Sequence, residues 1–387
     1  MKPSYSVMCV FGTRPEAIKM APIINELEVR GIPHTVCVTG QHREMLHQML
    51  ALFDIKPDYD LDIMTDNQTL EDVTARVLGG LGQIYRKVRP SLVLVQGDTT
   101  SAFAAALAAF YEKIPVGHVE AGLRTNNMYD PFPEEMARRL LTRVASVHFA
   151  PTQHTLNTLL AEGVDPESIH ATGNTVIDAL LAITGQDRPF ESEELRALKL
   201  DELAKHKRIV VVTAHRRENF GDRMQNIFSA IAKLAHEFRD VEFVFPVHPN
   251  PNVGKQARSV LDGISNVALV SAVDYSDMAK LLKLCYAVLT DSGGLQEEAP
   301  ALDKPVLVLR ETTERGEGVD AGTAILAGAE SAEMIYTLAK RLLTDDQLYN
   351  SMAKAPNPYG DGSASRNIVD WIEALHRGVV KDEMNHA

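Results

Sequence analysis

Short apolar runs rich in β-branched residues alternate with amphipathic, helix-like stretches along this 387-residue chain. Continuous apolar strands separated by helices are typical of parallel sheets that helices cover on both faces. The alternation therefore predicts an α/β protein built from doubly wound parallel sheets. The predicted strands are residues 6–11, 35–39, 92–96, 116–119, 147–150, 209–213, 242–246, 268–270, 287–290 and 306–309.

The chain is long enough for two domains, because soluble domains average roughly 150 residues. Each half opens with an apolar strand that runs into a polar turn, which predicts one architecture used twice, over residues 1–172 and 173–362. Residues 172–207 include a polar, charged section and are interpreted as the crossover and linker. The amphipathic stretch 363–377 is predicted to be a helix that packs back on the first domain. Ligands of open parallel sheets bind at the carboxyl ends of strands, so two facing sheets predict a shared cleft.

Composition and charge exclude several classes of protein. The formal net charge of −13 argues against non-specific nucleic-acid binding. Cys9, Cys37 and Cys285 are isolated in apolar runs, which predicts reduced, buried thiols in a cytoplasmic protein. No apolar run approaches about 18 residues and no signal-peptide pattern is present, so no membrane association is predicted. The sequence contains no GxGxxG motif, no Walker A motif and no metal-ligand spacing. We therefore expect neither a redox cofactor nor a metal.

The sequence VLTDSGGLQEEAP in the second half suits a nucleotide diphosphate. Ser292, Gly293 and Gly294 follow an apolar strand, and a helix is predicted to open at Leu295. Glycines let the backbone approach a ligand closely, and a helix N-terminus offers free N–H groups and partial positive charge. Glu298 lies inside that helix, where it is suited to accept hydrogen bonds from ribose hydroxyls.

Two basic residues follow the first predicted strand. In GTRPE the glycine ends the strand and the proline favours the first turn of a helix, so Arg14 lies at the strand edge. Lys19 lies about one turn into that helix. An arginine beside a helix N-terminus is typical of phosphate binding. A surface salt bridge is the alternative interpretation.

Three carboxylates of the first half come from separate loops. Asp98 follows the strand LVLVQ, and helix capping is its alternative role. Glu120 ends the next strand, a costly place for a carboxylate unless it is functional or paired, with Arg124 as the competing partner. Glu134 begins a helix, where stabilisation of the helix dipole is the alternative. Together the three acids favour acid–base chemistry.

Basic residues also follow the strands of the second half. His215 and Arg216 come after VVVT and are suited to stabilising charge on a departing diphosphate. A hydrogen bond to Glu218 is the alternative for the histidine. His248 ends the next strand without an assigned role, and Arg315 follows the last strong strand and is predicted to close on a ligand.

A series of motifs runs through the chain in a recognisable order. They are FGTRPEAIKMAP, QGDTTS, GHVEAGLRT, PFPEEMARR, TGNTVIDAL, TAHRREN, PVHPNP, TDSGGLQEEAP, TTERGEG and NPYGDG. From residue 6 to residue 362 the chain resembles the non-hydrolysing bacterial UDP-N-acetylglucosamine 2-epimerases. The resemblance implies a GT-B-like pair of Rossmann-like domains with a UDP-sugar in the cleft, usually as a homodimer. It implies reversible interconversion of UDP-GlcNAc and UDP-ManNAc without a redox cofactor, through elimination of UDP to 2-acetamidoglucal and re-addition, to supply surface polysaccharide.

The resemblance also implies roles for individual residues by motif position. The acid–base groups would be Asp98, Glu120, Glu134 and His215. The uridine and phosphate contacts would be Arg14, Lys19, Ser292, Gly293, Gly294, Glu298 and Arg315. An activating second UDP-GlcNAc site would include Gln41, Arg43, Glu44, Arg76, Arg216 and His248. Which carboxylate removes the C2 proton and which returns it stays open.

Other activities fit the same pattern. An epimerase of this kind can act on a related UDP-HexNAc, either a diacetamido sugar or a uronic acid. A GT-B glycosyltransferase shares the fold and the donor site but needs an acceptor. A hydrolysing relative would release free ManNAc and UDP irreversibly, and a non-catalytic sugar-nucleotide sensor would not need Asp98 or Glu120.

Overall fold

The computed structural model describes residues 5–41, 43–65 and 67–385. The chain divides into two compact units: unit 1 is formed by Met1–Ala179 with Tyr359–Ala387, and unit 2 by Leu180–Pro358. Each unit contains its own parallel sheet. The chain is therefore organised as two α/β units, which confirms the predicted fold class.

The strands are short and most are fully buried. They are β1 (Val7–Phe11), β2 (His34–Val38), β3 (Tyr59–Asp60), β4 (Leu92–Gln96), β5 (Val116–Val119), β6 (Val147–Ala150), β7 (Ile169–Ala171), β8 (Arg208–Thr213), β9 (Val241–Pro246), β10 (Val267–Val270), β11 (Ala287–Thr290), β12 (Val306–Val308) and β13 (Ala324–Leu326).

Helices connect the strands and cover the sheets. They are α1 (Arg14–Val29), α2 (Arg43–Leu52), α3 (Leu70–Val88), α4 (Thr100–Tyr111), α5 (Glu134–Val144), α6 (Gln153–Ala161), α7 (Thr175–Thr184), α8 (Glu193–Ala197), α9 (Leu200–Leu203), α10 (Asp222–Glu237), α11 (Pro251–Leu261), α12 (Tyr275–Leu284), α13 (Gly293–Glu298), α14 (Gly316–Asp320), α15 (Ala332–Thr344), α16 (Asp346–Ala353) and α17 (Ala364–Asn385).

In unit 1 the strand order is β3-β2-β1-β4-β5-β6-β7, and the paired strands are parallel. Every residue of β1, β4 and β5 is buried, because helices cover both faces of the sheet. Tyr85 of α3 is fully buried there, and its hydroxyl donates to the carbonyl of Ala105 at 3.2 Å. The order places the carboxyl ends of β1, β4 and β5 side by side.

In unit 2 the strand order is β10-β9-β8-β11-β12-β13, again with parallel pairing. Phe228 of α10 packs with Phe243 and Phe245 of β9 in a fully buried core. β8 and β11 are neighbours, and the hydroxyls of Thr213 and Thr290 at their ends lie 2.5 Å apart. The residues that follow these two strands therefore meet at one edge of the sheet.

All the predicted strands are confirmed, each within one residue at either end. The structure adds β3, β7 and β13, which the sequence did not predict. Each has only two or three residues and lies at the edge of its sheet. Edge strands pack on fewer neighbours, so their sequences carry a weaker apolar signal.

The segment 172–207, interpreted as a crossover and linker, is largely helical, because α7, α8 and α9 lie within it. Leu195 and Leu200 of the two short helices are fully buried, which gives this polar stretch an apolar anchor. The boundary between the two units falls inside α7, between Ala179 and Leu180.

The C-terminal helix α17 belongs to unit 1. Trp371 lies edge-on to Phe149 of β6, with ring centroids 5.5 Å apart. Arg30, which follows α1, forms ion pairs with Asp370 at 2.6 Å and with Glu373 at 3.0 Å. An apolar contact and charged pairs therefore hold this helix against the sheet and α1.

The three cysteines are buried and free. Burial raises the pKa of Cys9, Cys37 and Cys285 to about 12, so each thiol stays protonated and unreactive at neutral pH. Within the described residues, the helices are too short or too polar to span a bilayer.

Candidate active site

Glu120 occupies the centre of a polar cluster at the carboxyl end of the unit 1 sheet. It follows β5, its residue is only 7% exposed, and its φ is +64°. Its Oε2 accepts hydrogen bonds from Lys19 Nζ at 2.5 Å and from Gln96 Nε2. Asn174 Nδ2 lies 3.3 Å from Oε1. A left-handed backbone costs a non-glycine residue about 1 kcal/mol, so the surrounding contacts must hold Glu120 in this conformation.

The partners of Glu120 differ from those expected. The alternative interpretation, a salt bridge to Arg124, is wrong, because that guanidinium binds both carboxylate oxygens of Glu162, at 2.7 and 2.8 Å. Lys19, for which the resemblance implies a substrate contact, binds the Glu120 carboxylate. An ammonium group nearby favours the charged form of a carboxylate, and a general base acts in that form.

Asp98 lies at the end of the neighbouring strand β4. Its alternative role as the cap of α4 is wrong, because Thr99 is the N-cap residue and its hydroxyl accepts from the N–H of Ala102 at 3.0 Å. Asp98 Oδ2 instead lies 2.7 Å from both Nε and Nη2 of Arg138 on α5. This ion pair fixes the orientation of a second carboxylate next to the end of β5.

Glu134 and Glu135 begin α5 and have different surroundings. Glu135 is fully buried, accepts from the N–H of Thr125 at 3.0 Å and pairs with Arg139 at 2.9 Å. Oε2 of Glu134 is buried and has no hydrogen-bond partner among the described residues. Glu135 is therefore a structural carboxylate, whereas Glu134 keeps an oxygen available for a ligand.

The turn after β1 carries Arg14 at the first position of α1. Its side chain is partly buried and has no hydrogen bond or ion pair within the described part of the chain. The turn itself is held by Glu16, which accepts from the N–H groups of Gly12 at 2.9 Å and Thr13 at 2.7 Å and from the Thr99 hydroxyl at 2.7 Å. Burial still raises the pKa of Glu16. This carboxylate ties the turn after β1 to the turn after β4.

His118 lies in β5, close to the end of the strand that precedes Glu120. Its Nε2 is 2.7 Å from the carbonyl of Gly97, while Nδ1 is buried and has no partner in the described structure. Burial lowers the pKa of His118 to about 4, because a proton on Nδ1 would be desolvated without compensation.

This pKa predicts a specific acid sensitivity. The unfolded chain protonates His118 near its ordinary pKa of about 6.5, whereas the folded chain does so only near pH 4. Neutral His118 therefore contributes about 3 kcal/mol to the free energy of unfolding above pH 6.5. This contribution is lost as the pH falls from about 6.5 to about 4. Asp178 and Glu16 act in the opposite direction, since burial raises their pKa values.

Denaturant unfolding of wild type and His118→Gln at pH 7 and pH 4.5 measures the effect. The glutamine amide can still donate to Gly97, so the variant is expected to lose less stability on acidification than the wild type. His154→Gln replaces an exposed histidine of the same unit and is expected to behave as the wild type. An equal loss in wild type and His118→Gln would contradict the prediction.

Asp291 organises the polar residues at the ends of β8 and β11 in unit 2. Its side chain is fully buried. Oδ2 accepts from the main-chain N–H groups of His215 at 2.8 Å and Arg216 at 2.9 Å, and from Asn219 Nδ2 at 3.0 Å. Nδ1 of His215 lies 3.2 Å from Oδ1. One carboxylate thus fixes the backbone of the HRREN turn through Oδ2, while Oδ1 lies beside the imidazole ring without a hydrogen-bond partner in the described residues.

The expected alternative partner of His215 is wrong, because Glu218 binds Nε of Arg310 at 2.6 Å. Burial is the main cause that lowers the pKa of His215, and the charge of Arg216 acts in the same direction. The ring stacks on His248, with centroids 5.3 Å apart and planes at 12°. His215 is therefore held as a neutral imidazole with a fixed orientation at neutral pH.

The helix of the glycine motif begins earlier than predicted. α13 begins at Gly293 with Ser292 as its N-cap residue, and not at Leu295. A methyl group on Gly293 would lie 3.4 Å from Cζ of Arg315 and 3.6 Å from Nη2 of Arg216. Two guanidinium groups therefore lie at the N-terminus of this helix, an arrangement that suits a diphosphate.

The glutamates of α13 lie beside the same turn. Glu297 accepts from Nε of Arg315 at 2.8 Å and so orients that guanidinium. Glu298 is buried, and its Oε2 lies 3.6 Å from the position of a Cβ built on Gly294. Glu298 is thus placed near the helix start, as a ribose acceptor must be.

The residues of the implied effector site occur in both units. In unit 1, Gln41 accepts from the Ser101 hydroxyl at 2.7 Å, Arg76 donates to the Thr65 hydroxyl at 2.8 Å, and Glu44 is exposed on α2. Gln41 therefore reaches the start of α4, while Arg76 binds a loop.

The remaining effector residues are Arg43, Arg216 and His248. Arg43 begins α2, but its side chain lies outside the described part of the structure. Arg216 and His248 are in unit 2, where the first lies at Gly293 and the second stacks on His215. Arg216 thus belongs to the same cluster as the diphosphate motif.

A comparison with known families identifies the chain. The sequence profile described as UDP-N-acetylglucosamine 2-epimerase matches residues 25–373. The chain belongs to this family. Among its relatives, the UDP-N-acetylglucosamine 2-epimerase of Bacillus subtilis (strain 168) is 50% identical, and the alignment covers 97% of each protein.

Solved structures of this epimerase family agree with the assignment. The UDP-GlcNAc 2-epimerase from Neisseria meningitidis bound to UDP-GlcNAc is 46% identical, with a TM-score of 0.82 over 95% of this chain and 100% of that one. The S. aureus MnaA–UDP co-structure is also 46% identical, with a TM-score of 0.82 over 96% of each chain. The chain therefore has the fold of an epimerase, over nearly its whole length.

Several residues of this epimerase contact the candidate groups or hold the turns that carry them, and none of these residues had a role predicted from sequence. They are Glu16, Gln96, Arg138, Asn174, Asn219 and Asp291. All lie within the motifs quoted for the family, so the motifs pointed to them without stating a contact. In the described residues, no group of three or more His, Cys, Asp or Glu side chains is placed to hold a metal ion.

Proposed function

We propose that this epimerase interconverts UDP-GlcNAc and UDP-ManNAc by inverting the configuration at C2 of the sugar. The observation that carries the proposal is the pair of carboxylates at neighbouring strand ends, Glu120 and Asp98, each held by its own cation. Lys19 contacts Glu120 and Arg138 contacts Asp98. Inversion of a carbon centre needs one group that removes a proton and another that delivers one.

The proton on C2 of the sugar is very weakly acidic, because no carbonyl group is attached to C2. This proton can leave only as the C1–O bond breaks, which gives 2-acetamidoglucal and UDP. UDP then re-forms the bond at C1 while the opposite face of C2 receives a proton. One proton leaves and one returns, and nothing is oxidised, so the reaction consumes no redox cofactor. Glu120 and Asp98 fill the base and acid roles, and Glu134 supports them.

The diphosphate is the leaving group in this mechanism. In unit 2, Arg216 and Arg315 lie at the N-terminus of α13, and Asp291 holds the main chain of His215 and Arg216. Donors fixed in advance stabilise charge as it develops, without reorganisation during the reaction. The role proposed for this cluster is to hold UDP as it departs and returns, with Glu298 on the ribose.

Two groups of unit 1 complete the assignment. Arg14 has no partner within the described residues, so its guanidinium is available to a phosphate. Lys19 forms an ion pair with Glu120 and is proposed to contact the substrate as well. The implied homodimer, the cytoplasmic location, the UDP-GlcNAc effector site and the supply of ManNAc for polysaccharide belong to the same proposal.

A GT-B glycosyltransferase is the second candidate, since it would share the fold and the diphosphate cluster. The carboxylates of unit 1 favour epimerisation, because a transferase needs no pair of proton-transfer groups at C2 of its donor. An epimerase for a related UDP-HexNAc is the third, and it differs only in the sugar.

Solvent exchange distinguishes these activities. Pure protein is incubated with UDP-GlcNAc in D2O and followed by proton NMR. We expect deuterium at C2 of the sugar and a minority of UDP-ManNAc at equilibrium, without an acceptor. An unchanged spectrum, with turnover only after an acceptor sugar is added, would contradict the proposal. Exchange with diacetamido or uronic acid substrates alone would reassign the sugar.

A further inference from the structure

Hydrogen bonds of Asn174 link separate parts of unit 1. Its side chain is 3% exposed. The main-chain N–H donates to the carbonyl of Tyr359 at 2.7 Å, Oδ1 accepts from the N–H of Val176 at 3.1 Å, and Nδ2 donates to Oε1 of Glu120 at 3.3 Å. The residue therefore contacts the carboxylate, the start of α7 and the returning chain at once.

These contacts determine which way the side-chain amide faces. The N–H of Val176 can donate only to the oxygen of the side-chain amide, so this hydrogen bond places Oδ1 on the side of α7. The amide nitrogen must then face Glu120. This donor contacts Oε1, whereas the ammonium of Lys19 and the amide of Gln96 contact Oε2. Both oxygens of the carboxylate are thereby held, and the plane of the carboxylate is set.

The backbone around Asn174 is packed closely against the returning chain. Gly173 has φ +89°, and a Cβ there would lie 3.5 Å from the carbonyl oxygen of Tyr359 and 3.6 Å from Cα of Gly360. Asn367 Nδ2 donates to the carbonyl of Thr172 at 3.1 Å on the same segment. The position of Asn174 is therefore set by backbone contacts that do not involve Glu120.

We propose that Asn174 is a positioning residue for the proton transfer at C2, which fixes the Glu120 carboxylate through Oε1. This inference rests on the proposed function. Asn174 does not exchange a proton itself. It keeps Oε1 hydrogen-bonded in the charged state, and it limits rotation of a side chain on a left-handed backbone.

Other charged groups face Glu120 and set the background for the test. Lys19 of α1 contacts the carboxylate directly, and the charge of Glu120 also acts on His118 of β5. Burial keeps His118 neutral above about pH 4. Neither group changes in an Asn174 variant, so a difference in pH dependence between variant and wild type reports on Oε1.

Asn174→Asp gives the sharpest test because it is nearly isosteric. The aspartate can still accept from Val176, but an oxygen replaces the donor that faces Glu120, and two adjacent carboxylates resist simultaneous ionisation. We expect kcat to fall about a hundredfold and the acid limb of the kcat/KM profile to move up by about one pH unit or more. Asn174→Ala is expected to shift the same limb less, since it removes a donor without adding charge.

Asn367→Asp is the matched control. It makes the same chemical change on a side chain that contacts the same segment through Thr172, away from Glu120. We expect it to retain wild-type kcat and an unchanged pH profile. Circular dichroism and the affinity for UDP check that each variant is folded.

Two outcomes overturn the inference separately from the proposed function. If the wild type exchanges C2 hydrogen with solvent while Asn174→Asp and Asn174→Ala keep the wild-type acid limb, the proposed function stands and this inference fails. If the variants lose activity only in proportion to lost folding, the inference also fails. If the wild type shows no exchange, both fail together.

Discussion

Replacing Glu120 by glutamine is expected to lower kcat by about a thousandfold, because a positioned acid or base contributes roughly 10²- to 10⁴-fold. The amide keeps the size of the side chain but can neither accept nor deliver the C2 proton. Deuterium incorporation from D2O should fall in parallel with epimerisation. The affinity for UDP, measured by calorimetry, should stay near the wild-type value, because Glu120 is assigned to the sugar and the diphosphate is assigned mainly to the cluster at Gly293.

Glu162→Gln is the control for this variant. Glu162 also forms a well-defined ion pair in unit 1, with both oxygens on Arg124, but it lies outside the proposed proton-transfer groups. Any general effect of breaking such a pair should appear in its thermal stability, with kcat unchanged. A Glu120→Gln protein that is folded and retains more than a tenth of wild-type kcat would contradict the assignment of Glu120.

The interior of both sheets could be predicted because its strands are buried on both faces. β4 and β11 are continuous apolar runs, and their predicted bounds agree with the structure. β3 could not be predicted in this way. Tyr59–Asp60 is two residues long and only partly buried, and its place depends on pairing with β2. Such an edge strand is determined by the sheet that precedes it rather than by its own sequence.

The carboxylates were singled out from the sequence as candidates, but their partners could not be predicted. Asp98 and Thr99 are both good N-cap residues, and the sequence does not choose between them. The structure chooses Thr99, which frees Asp98 to bind Arg138, 40 positions along the chain. Hydrogen-bond partners at such separations are set by the order of strands in the sheet, and local patterns do not encode them.

The same reason explains the surroundings of Glu120. Its partners Gln96, Lys19 and Asn174 lie 24, 101 and 54 positions away in sequence. Only the neighbouring positions of β1, β4 and β5 bring the first two together, and the sequence predicted those strands without their order. In unit 2, the sequence predicted that Arg216 serves a diphosphate but not that its guanidinium lies at Gly293, because the order of β8 and β11 was not predicted.

The cluster at Gly293 predicts a large loss of UDP affinity when either guanidinium is removed. Arg216→Gln and Arg315→Gln each remove a charged donor at the N-terminus of α13. A hydrogen bond to a charged group contributes about 1.5–3 kcal/mol, so the Kd for UDP should rise about ten- to a hundredfold in each variant. Calorimetric titration with UDP measures this directly, because no turnover is required.

A variant of Glu297 tests whether this carboxylate orients Arg315 for UDP binding. Arg315 is oriented by Glu297, so Glu297→Gln is expected to weaken UDP binding less than Arg315→Gln does. Arg223→Gln is the matched control, since that arginine pairs with the exposed Glu330 in the same unit, at 2.6 Å. Its Kd for UDP should equal the wild-type value. If both Arg216→Gln and Arg315→Gln bind UDP as the wild type does, the diphosphate does not bind at Gly293, and the leaving group must be held by other residues.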